Sequence, residues 1–136
     1  MFYHNEDTNN KFSMKILGID YGRRKVGLAI GENGLSEPLK VIQVENFEDA
    51  VNRIEREIES EKPDKVVVGV SEGEMGEESK KFAREIGAET FDETLTSRDA
   101  QRLSMEAGVS RKKRKGMEDA FAASIILQNY LDSFRP

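Results

Sequence analysis

Asp20 and Asp119 are the residues of this chain best placed to do chemistry, because each is a carboxylate where the pattern calls for an apolar side chain. Asp20 closes the apolar run Ile16-Leu-Gly-Ile19 and precedes a glycine turn that carries Arg23, Arg24 and Lys25. A second apolar run, Val26-Gly-Leu-Ala-Ile30, follows at once. Runs of this length bounded by glycine read as buried strands joined by a tight hairpin. Charged groups rarely enter such strands unless they are paired or bind a metal. An acid against a core-like wall, with cations at the adjacent turn, is suited to holding a divalent ion and a phosphate. The competing reading is that Asp20 merely opens the turn, as aspartate often does.

Asp119 begins a helical stripe that continues through Ala122, Ala123, Ile126 and Tyr130. The positive end of a helix favours an acid in its first turn. That accounts for Glu118 and Asp119 as a pair, but not for an acid on the face that should meet the sheet. Function is the better reading there. Glu93, just past the short run Glu89-Thr-Phe91, and Glu72, just past Val66-Val-Val-Gly-Val70, are further candidates. In parallel sheets ligand sites lie at the carboxyl ends of strands, so Asp20, Glu72 and Glu93 are all expected near that edge. Several acids converging without histidine or cysteine form a hard oxygen site, suited to Mg²⁺ or Mn²⁺. His4 is the only histidine and lies far from them in sequence.

The elements that must position these acids follow from the apolar spacing. An alternating third strand runs over Leu39–Val44. Phe47 to Lys62 carries apolar residues at 47, 50, 51, 54 and 58, the period of an amphipathic helix, with Asn46 as its cap and Pro63 as its stop. Val66–Val70 reads as a buried parallel strand. Ser71–Gly76 reads as a glycine-rich loop before a short helix over 77–86 that Gly87 ends. A brief strand at 89–91 leads to Asp92 and Glu93. Thr96-Ser-Arg-Asp99 resembles a capping box opening a helix to Ala107, and a last helix runs from about Gly116 to Phe134. A hairpin and edge strand followed by β-α alternation imply a mixed sheet flanked by helices, an α/β architecture.

With 136 residues the chain has the length of one domain, and residues 14–136 are expected to form it. Met1–Ser13 is polar and aperiodic and reads as a frayed tail, with Met14 as the natural start of the fold. No apolar stretch approaches a membrane span, and the absence of cysteine excludes disulfides and thiolate metal sites, so a cytoplasmic protein is expected. The net charge of −5 argues against a generic lysine-coated nucleic-acid binder. Its distribution says more. Arg111, Lys112, Lys113, Arg114 and Lys115 form an unbroken basic run, and with Arg23, Arg24 and Lys25 they hold eight of 21 cationic residues. Two positive patches on an acidic body fit a directed phosphate-binding face.

These passages together resemble the YqgF/RuvX family, RNase H-like proteins described as Holliday junction resolvases or pre-16S rRNA nucleases. The resemblance rests on Ile19-Asp-Tyr-Gly-Arg-Arg-Lys-Val-Gly-Leu-Ala29, Asp92-Glu-Thr-Leu-Thr-Ser97 and Lys115-Gly-Met-Glu-Asp-Ala-Phe-Ala-Ala123, in that order over nearly the whole chain. It implies an RNase H-like fold with a five-stranded sheet whose second strand is antiparallel to its neighbours. It also implies that Asp20, Glu93 and Asp119 are the metal-binding catalytic set, which raises Glu93 above Glu72. Three positions depart from the family pattern. Thr94 stands where arginine is usual, Ser71–Gly76 replaces a longer loop with a Pro-Leu pair, and Lys25 replaces arginine.

The function so implied is metal-dependent phosphodiester cleavage in nucleic acid. Processing the 5′ end of pre-16S rRNA comes first, with ribosomal particles as partners, and a branched DNA junction second. Cleavage of a junction needs a symmetric dimer, whereas an rRNA nuclease can act as a monomer. The rival from another class is a nuclease-silent nucleic-acid or ribosome-binding module. An actin-like ATPase also opens with a Gly-Ile-Asp-x-Gly strand, but that architecture needs two such lobes. Replacing Arg111, Lys112, Lys113 and Arg114 by glutamine is expected to weaken nucleic-acid binding and flatten its salt dependence, with little change in melting temperature. A sharp fall in melting temperature with an intact salt slope would make the run structural.

Overall fold

The computed structural model describes residues 14–93 and 116–134. The tail, Thr94, the helix expected over 96–107 and the basic run at 111–115 lie outside the described residues. Eight elements are present among those described. They are β1 (Ile16–Asp20), β2 (Lys25–Glu32), β3 (Leu35–Gln43), α1 (Phe47–Glu61), β4 (Lys65–Val70), α2 (Glu74–Ile86), β5 (Glu89–Asp92) and α3 (Glu118–Asp132). The five strands form one sheet in the order β3-β2-β1-β4-β5. β2 is antiparallel to both β1 and β3, while β1, β4 and β5 run parallel. This is the strand arrangement that the family resemblance implies.

Alternation along the strands divides the molecule into three layers. Leu17, Ile19, Val26, Leu28 and Val68 face α1 and α2, where they meet Ile54 and Phe82. Ile16, Ala29 and Val67 face the opposite way, onto Ala123, Leu127 and Tyr130 of α3. The central parallel strands β1 and β4 are thus covered on both sides, which is why β4 reads as an unbroken apolar run, whereas β5 at the edge is mostly exposed.

Local chemistry sets most boundaries. Asn46 caps α1 by accepting from the Asp49 amide at 2.8 Å, and Lys62 ends that helix in a left-handed conformation before Pro63. Gly87 ends α2 with φ of 70°. Two boundaries differ from the sequence reading. β3 starts at Leu35 rather than Leu39, because Asn33 and Gly34, with φ of 56° and 83°, make the tight turn of a two-residue hairpin. Pro38 is accommodated on this edge strand by a register shift opposite Leu28 and Ala29. α2 begins at Glu74, so Glu74–Gly76 is helix and not loop. Gly76 lies so close to Ser71 that a Cβ would come within 1.7 Å of the Ser71 carbonyl oxygen. The glycine that looks like loop punctuation is a packing contact.

α3 is fixed to the sheet along its length. Ser36 donates its hydroxyl to the Ser124 carbonyl at 2.7 Å, and Gln128 donates to the Gly34 carbonyl at 2.9 Å. Near its far end Tyr130 donates to Glu89 Oε2 at 2.7 Å. At its start the backbone itself meets β2, since a Cβ on Gly27 would fall 1.9 Å from the Asp119 carbonyl oxygen. None of the helices among the described residues is long and apolar enough to cross a membrane.

The Gly27 contact generates a test. Backbone cannot yield as a flexible side chain can, so Gly27→Ala is expected to destabilise the fold by about 3 kcal/mol in urea unfolding. A loss below about 0.5 kcal/mol would mean that α3 is free to lift from β2.

Candidate active site

Asp20 is the last residue of β1 and pairs with Gly27 across the β1–β2 ladder. It shares its face of the sheet with Ile16, and therefore looks toward α3. Because Gly27 has no side chain, the first turn of α3 settles on β2 and brings Asp119 beside this strand end. Gly69 on β4 makes the matching space on the other side. A Cβ there would lie 3.0 Å from Glu93 Oε2 and 2.7 Å from Ile126 Cδ1. Glu93 follows the end of β5 directly. The carboxylates of Asp20, Glu93 and Asp119 thus converge at the carboxyl edge of the sheet, on the face that α3 covers.

The electrostatics of the cluster are unfavourable by design. The Asp20 carboxyl is pushed up to about 7, first by burial and then by the negative charges of Glu93 and Asp119. Glu93 is also raised, by burial and then by Asp92. No ion pair among the described residues reaches any of the three. Adjacent like charges of this kind call for a cation. The donor set is all carboxylate oxygen, which fits a hard divalent ion that keeps several positions for water and phosphate. Among the described residues, no three His, Cys, Asp or Glu side chains stand close enough together to enclose a metal ion as they are placed here.

Glu72 is not part of this group, which corrects its expected place near Asp20. It is exposed and borders an open depression of about 350 Å³ with Ser71, Glu77, Lys80, Thr90 and Asp92. Glu77 and Lys80 belong to α2, so this depression lies on the face that α2 covers, away from α3. The physical reason is that the chain turns into α2 only two residues after Glu72, carrying the loop to that side.

The turn after Asp20 holds its cations at the surface. Arg23, Arg24 and Lys25 are exposed, and the Arg24 carbonyl accepts from the Val44 amide at 2.9 Å. Arg23 donates from Nε to Glu78 Oε1 at 3.0 Å. Between this turn and the acid sits Tyr21, buried against Phe82 at a ring distance of 4.6 Å. Its hydroxyl is pushed up, by burial and then by its hydrogen bond to Glu78. Tyr21 and Glu78 escaped the sequence reading. The signal was there in part: a tyrosine directly after Asp20 must face the opposite side of the sheet, into the core.

Comparisons with known proteins agree with this architecture. The model of the RuvX family, described as Holliday junction resolvase, matches residues 14–133. A protein of Syntrophus aciditrophicus named "Putative pre-16S rRNA nuclease" is 34% identical, over 88% of this chain and 89% of its own. A Bacillus thuringiensis protein of the same name is 35% identical, over 88% of this chain and 99% of its own. Among solved structures, T. thermophilus RuvC in complex with a Holliday junction substrate superposes with a TM-score of 0.51 at 18% identity, covering 88% of this chain and 94% of that one. The Fowlpox virus resolvase, in complex with Holliday junction DNA, gives 0.57 at 11% identity, covering 90% and 100%. At such identities the likeness is one of fold, the RNase H-like fold.

The crowding of carboxylates makes a pH-dependent prediction. Asp20 holds its proton more tightly in the folded chain than in the unfolded one, where its carboxyl has the ordinary value of 3.8. Folding therefore costs extra as the pH rises from about 4 through about 7, and the full cost applies above that. In the presence of EDTA, Asp20→Asn is expected to stabilise the protein at pH 8 by on the order of a few kcal/mol, with the gain vanishing near pH 4. Urea unfolding of both proteins across that range measures it. A gain independent of pH would show that the carboxyl is not under electrostatic strain.

Proposed function

This chain belongs to the RuvX family, and on that premise we propose that it is a divalent-metal-dependent endonuclease that processes the 5′ end of pre-16S rRNA. The observation that carries the reading is the convergence of Asp20, Glu93 and Asp119, uncompensated, at the carboxyl edge of the sheet. The relatives' shared name directs the choice toward rRNA. The family's own description favours a branched DNA junction as the second reading, with a homodimer as the cutting species. The protein acts in the cytoplasm and meets its substrate on ribosomal particles.

Asp20, Glu93 and Asp119 would hold Mg²⁺ or Mn²⁺. When bound, the metal supplies activation of a water and charge stabilisation at the scissile phosphate. The chain's own residues do the rest. Asp20, fixed by the β1 ladder, anchors the cluster. The short distance between α3 and β2 holds Asp119 against it, and Gly69 leaves room for Glu93. Arg23, Arg24 and Lys25, together with Arg111, Lys112, Lys113, Arg114 and Lys115, hold phosphates flanking the cut. Such contacts give salt-dependent affinity and little choice of sequence.

Labelled pre-rRNA and a four-way DNA junction, incubated side by side with and without Mg²⁺, test the proposal. Cleavage of the pre-rRNA is expected, lost in EDTA and reduced to background in Asp20→Asn and Glu93→Gln. Glu72→Gln is expected to change the rate only modestly, and titration with Mn²⁺ should find its metal binding intact. Full activity in excess EDTA sinks the metal mechanism. Preferential cutting of the junction selects the DNA reading, and binding of either substrate without cleavage selects a nuclease-silent module.

A further inference from the structure

Glu78 lies on the α2 face of the sheet, away from the three acids, yet it takes two hydrogen bonds from the turn that follows Asp20. Its Oε2 accepts from the Tyr21 hydroxyl at 2.6 Å, and its Oε1 accepts from Arg23 Nε at 3.0 Å. Tyr21 is itself immobilised, stacked on Phe82 and edge-on to Phe47 at 6.1 Å. A rigid, core-packed phenol thus fixes one carboxylate oxygen, and the other fixes the arginine. Only the ε N–H of Arg23 is used. The remaining four N–H donors of its guanidinium have no partner among the described residues, and the side chain is 59% exposed.

Surface pairs between long side chains are usually loose, because each loses rotamer freedom for little gain. Here one of the two partners is anchored in advance, so most of that cost is already met. We infer that Glu78 is a positioning residue, which orients Arg23 through its ε nitrogen so that the outward edge of the guanidinium receives a backbone phosphate of the nucleic-acid substrate that flanks the acid cluster. The inference rests on the nuclease reading above and adds to it a named contact and the device that holds it. A planar guanidinium held at one corner presents a fixed two-donor edge, which suits a phosphate.

Two effects of opposite sign separate this role from simple electrostatics. Deleting the Glu78 charge leaves more positive potential at the turn, which by itself tightens binding to a polyanion. Releasing Arg23 weakens binding by one ordered phosphate contact. Binding of a fluorescein-labelled RNA oligonucleotide in EDTA, followed by anisotropy over a series of salt concentrations, distinguishes them. Glu78→Gln is expected to weaken binding about three- to tenfold and to lower the salt slope by about one phosphate. Tyr21→Phe, which keeps the stacking and removes the hydroxyl, is expected to lose less in the same direction.

Adding Glu78→Gln to Arg23→Gln is expected to cause no further loss, because Glu78 acts through Arg23. In cleavage assays with Mg²⁺, the Glu78→Gln defect is expected in KM rather than kcat. Wild-type binding with equal or tighter binding by Glu78→Gln overturns the inference and leaves the nuclease reading standing. Additive losses in the double variant overturn it too, by making Glu78 a structural residue of the turn. A wild-type protein that neither binds nor cuts RNA or a junction removes the nuclease reading, and the inference with it.

Discussion

Helix α3 lies closer to the sheet than any side chain at Gly27 would permit, and the arrangement of the acids depends on that distance. A helix resting on ordinary side chains stands further from the sheet, and an acid in its first turn would then look into solvent. Bare backbone at Gly27 lets the start of α3 sink until the Asp119 carbonyl abuts the strand. Leu127, packed into the notches at Gly18 and Gly31, carries the same close approach further along the helix. The glycines of β1, β2 and β4 are therefore the mould in which the carboxylates are set.

That mould works against the charges it gathers. Burial and mutual repulsion both raise Asp20, and no basic side chain among the described residues is spent on relieving it. Arg23, the nearest cation in sequence, is turned to the other side and held by Glu78. Charge of one sign is kept on one face and charge of the other sign on the turn beside it. Among the described residues, a core of seventeen buried apolar residues in two clusters sustains this strain.

Asp20 and Asp119 were legible in the sequence because an ionised group on an apolar face is an energetic anomaly that local rules cannot explain. Helix α1 was legible for a simpler reason, since Asn46 and Pro63 mark both its ends by local chemistry. Glu93 and Glu72 were different. Both follow strands, and the choice between them turns on which layer covers each strand end, a property of tertiary packing that no short window contains. Only the family resemblance separated them in advance. The early start of β3 had a readable signal in Asn33-Gly34, the residues of a two-residue hairpin turn, and Pro38 is compatible with it because the strand lies on an edge. Gly76 misled because a glycine needed for close packing and one needed for a turn look the same in a sequence. The clamp around Glu78 joins residues 55 and 57 positions apart, beyond the reach of any periodicity.

The hairpin strand β3 has one more consequence, which concerns the protein's behaviour among its own copies. Nine residues long and paired on one side only, it is the kind of strand that recruits a neighbouring molecule into a continuous sheet. Pro38 removes one amide hydrogen from that edge, the register shift beside it breaks the even spacing of the rest, and Glu37 and Lys40 place charges on either side. An edge broken in this way is a poor template for a neighbouring strand, because the row of evenly spaced donors and acceptors that such a strand would pair with is interrupted.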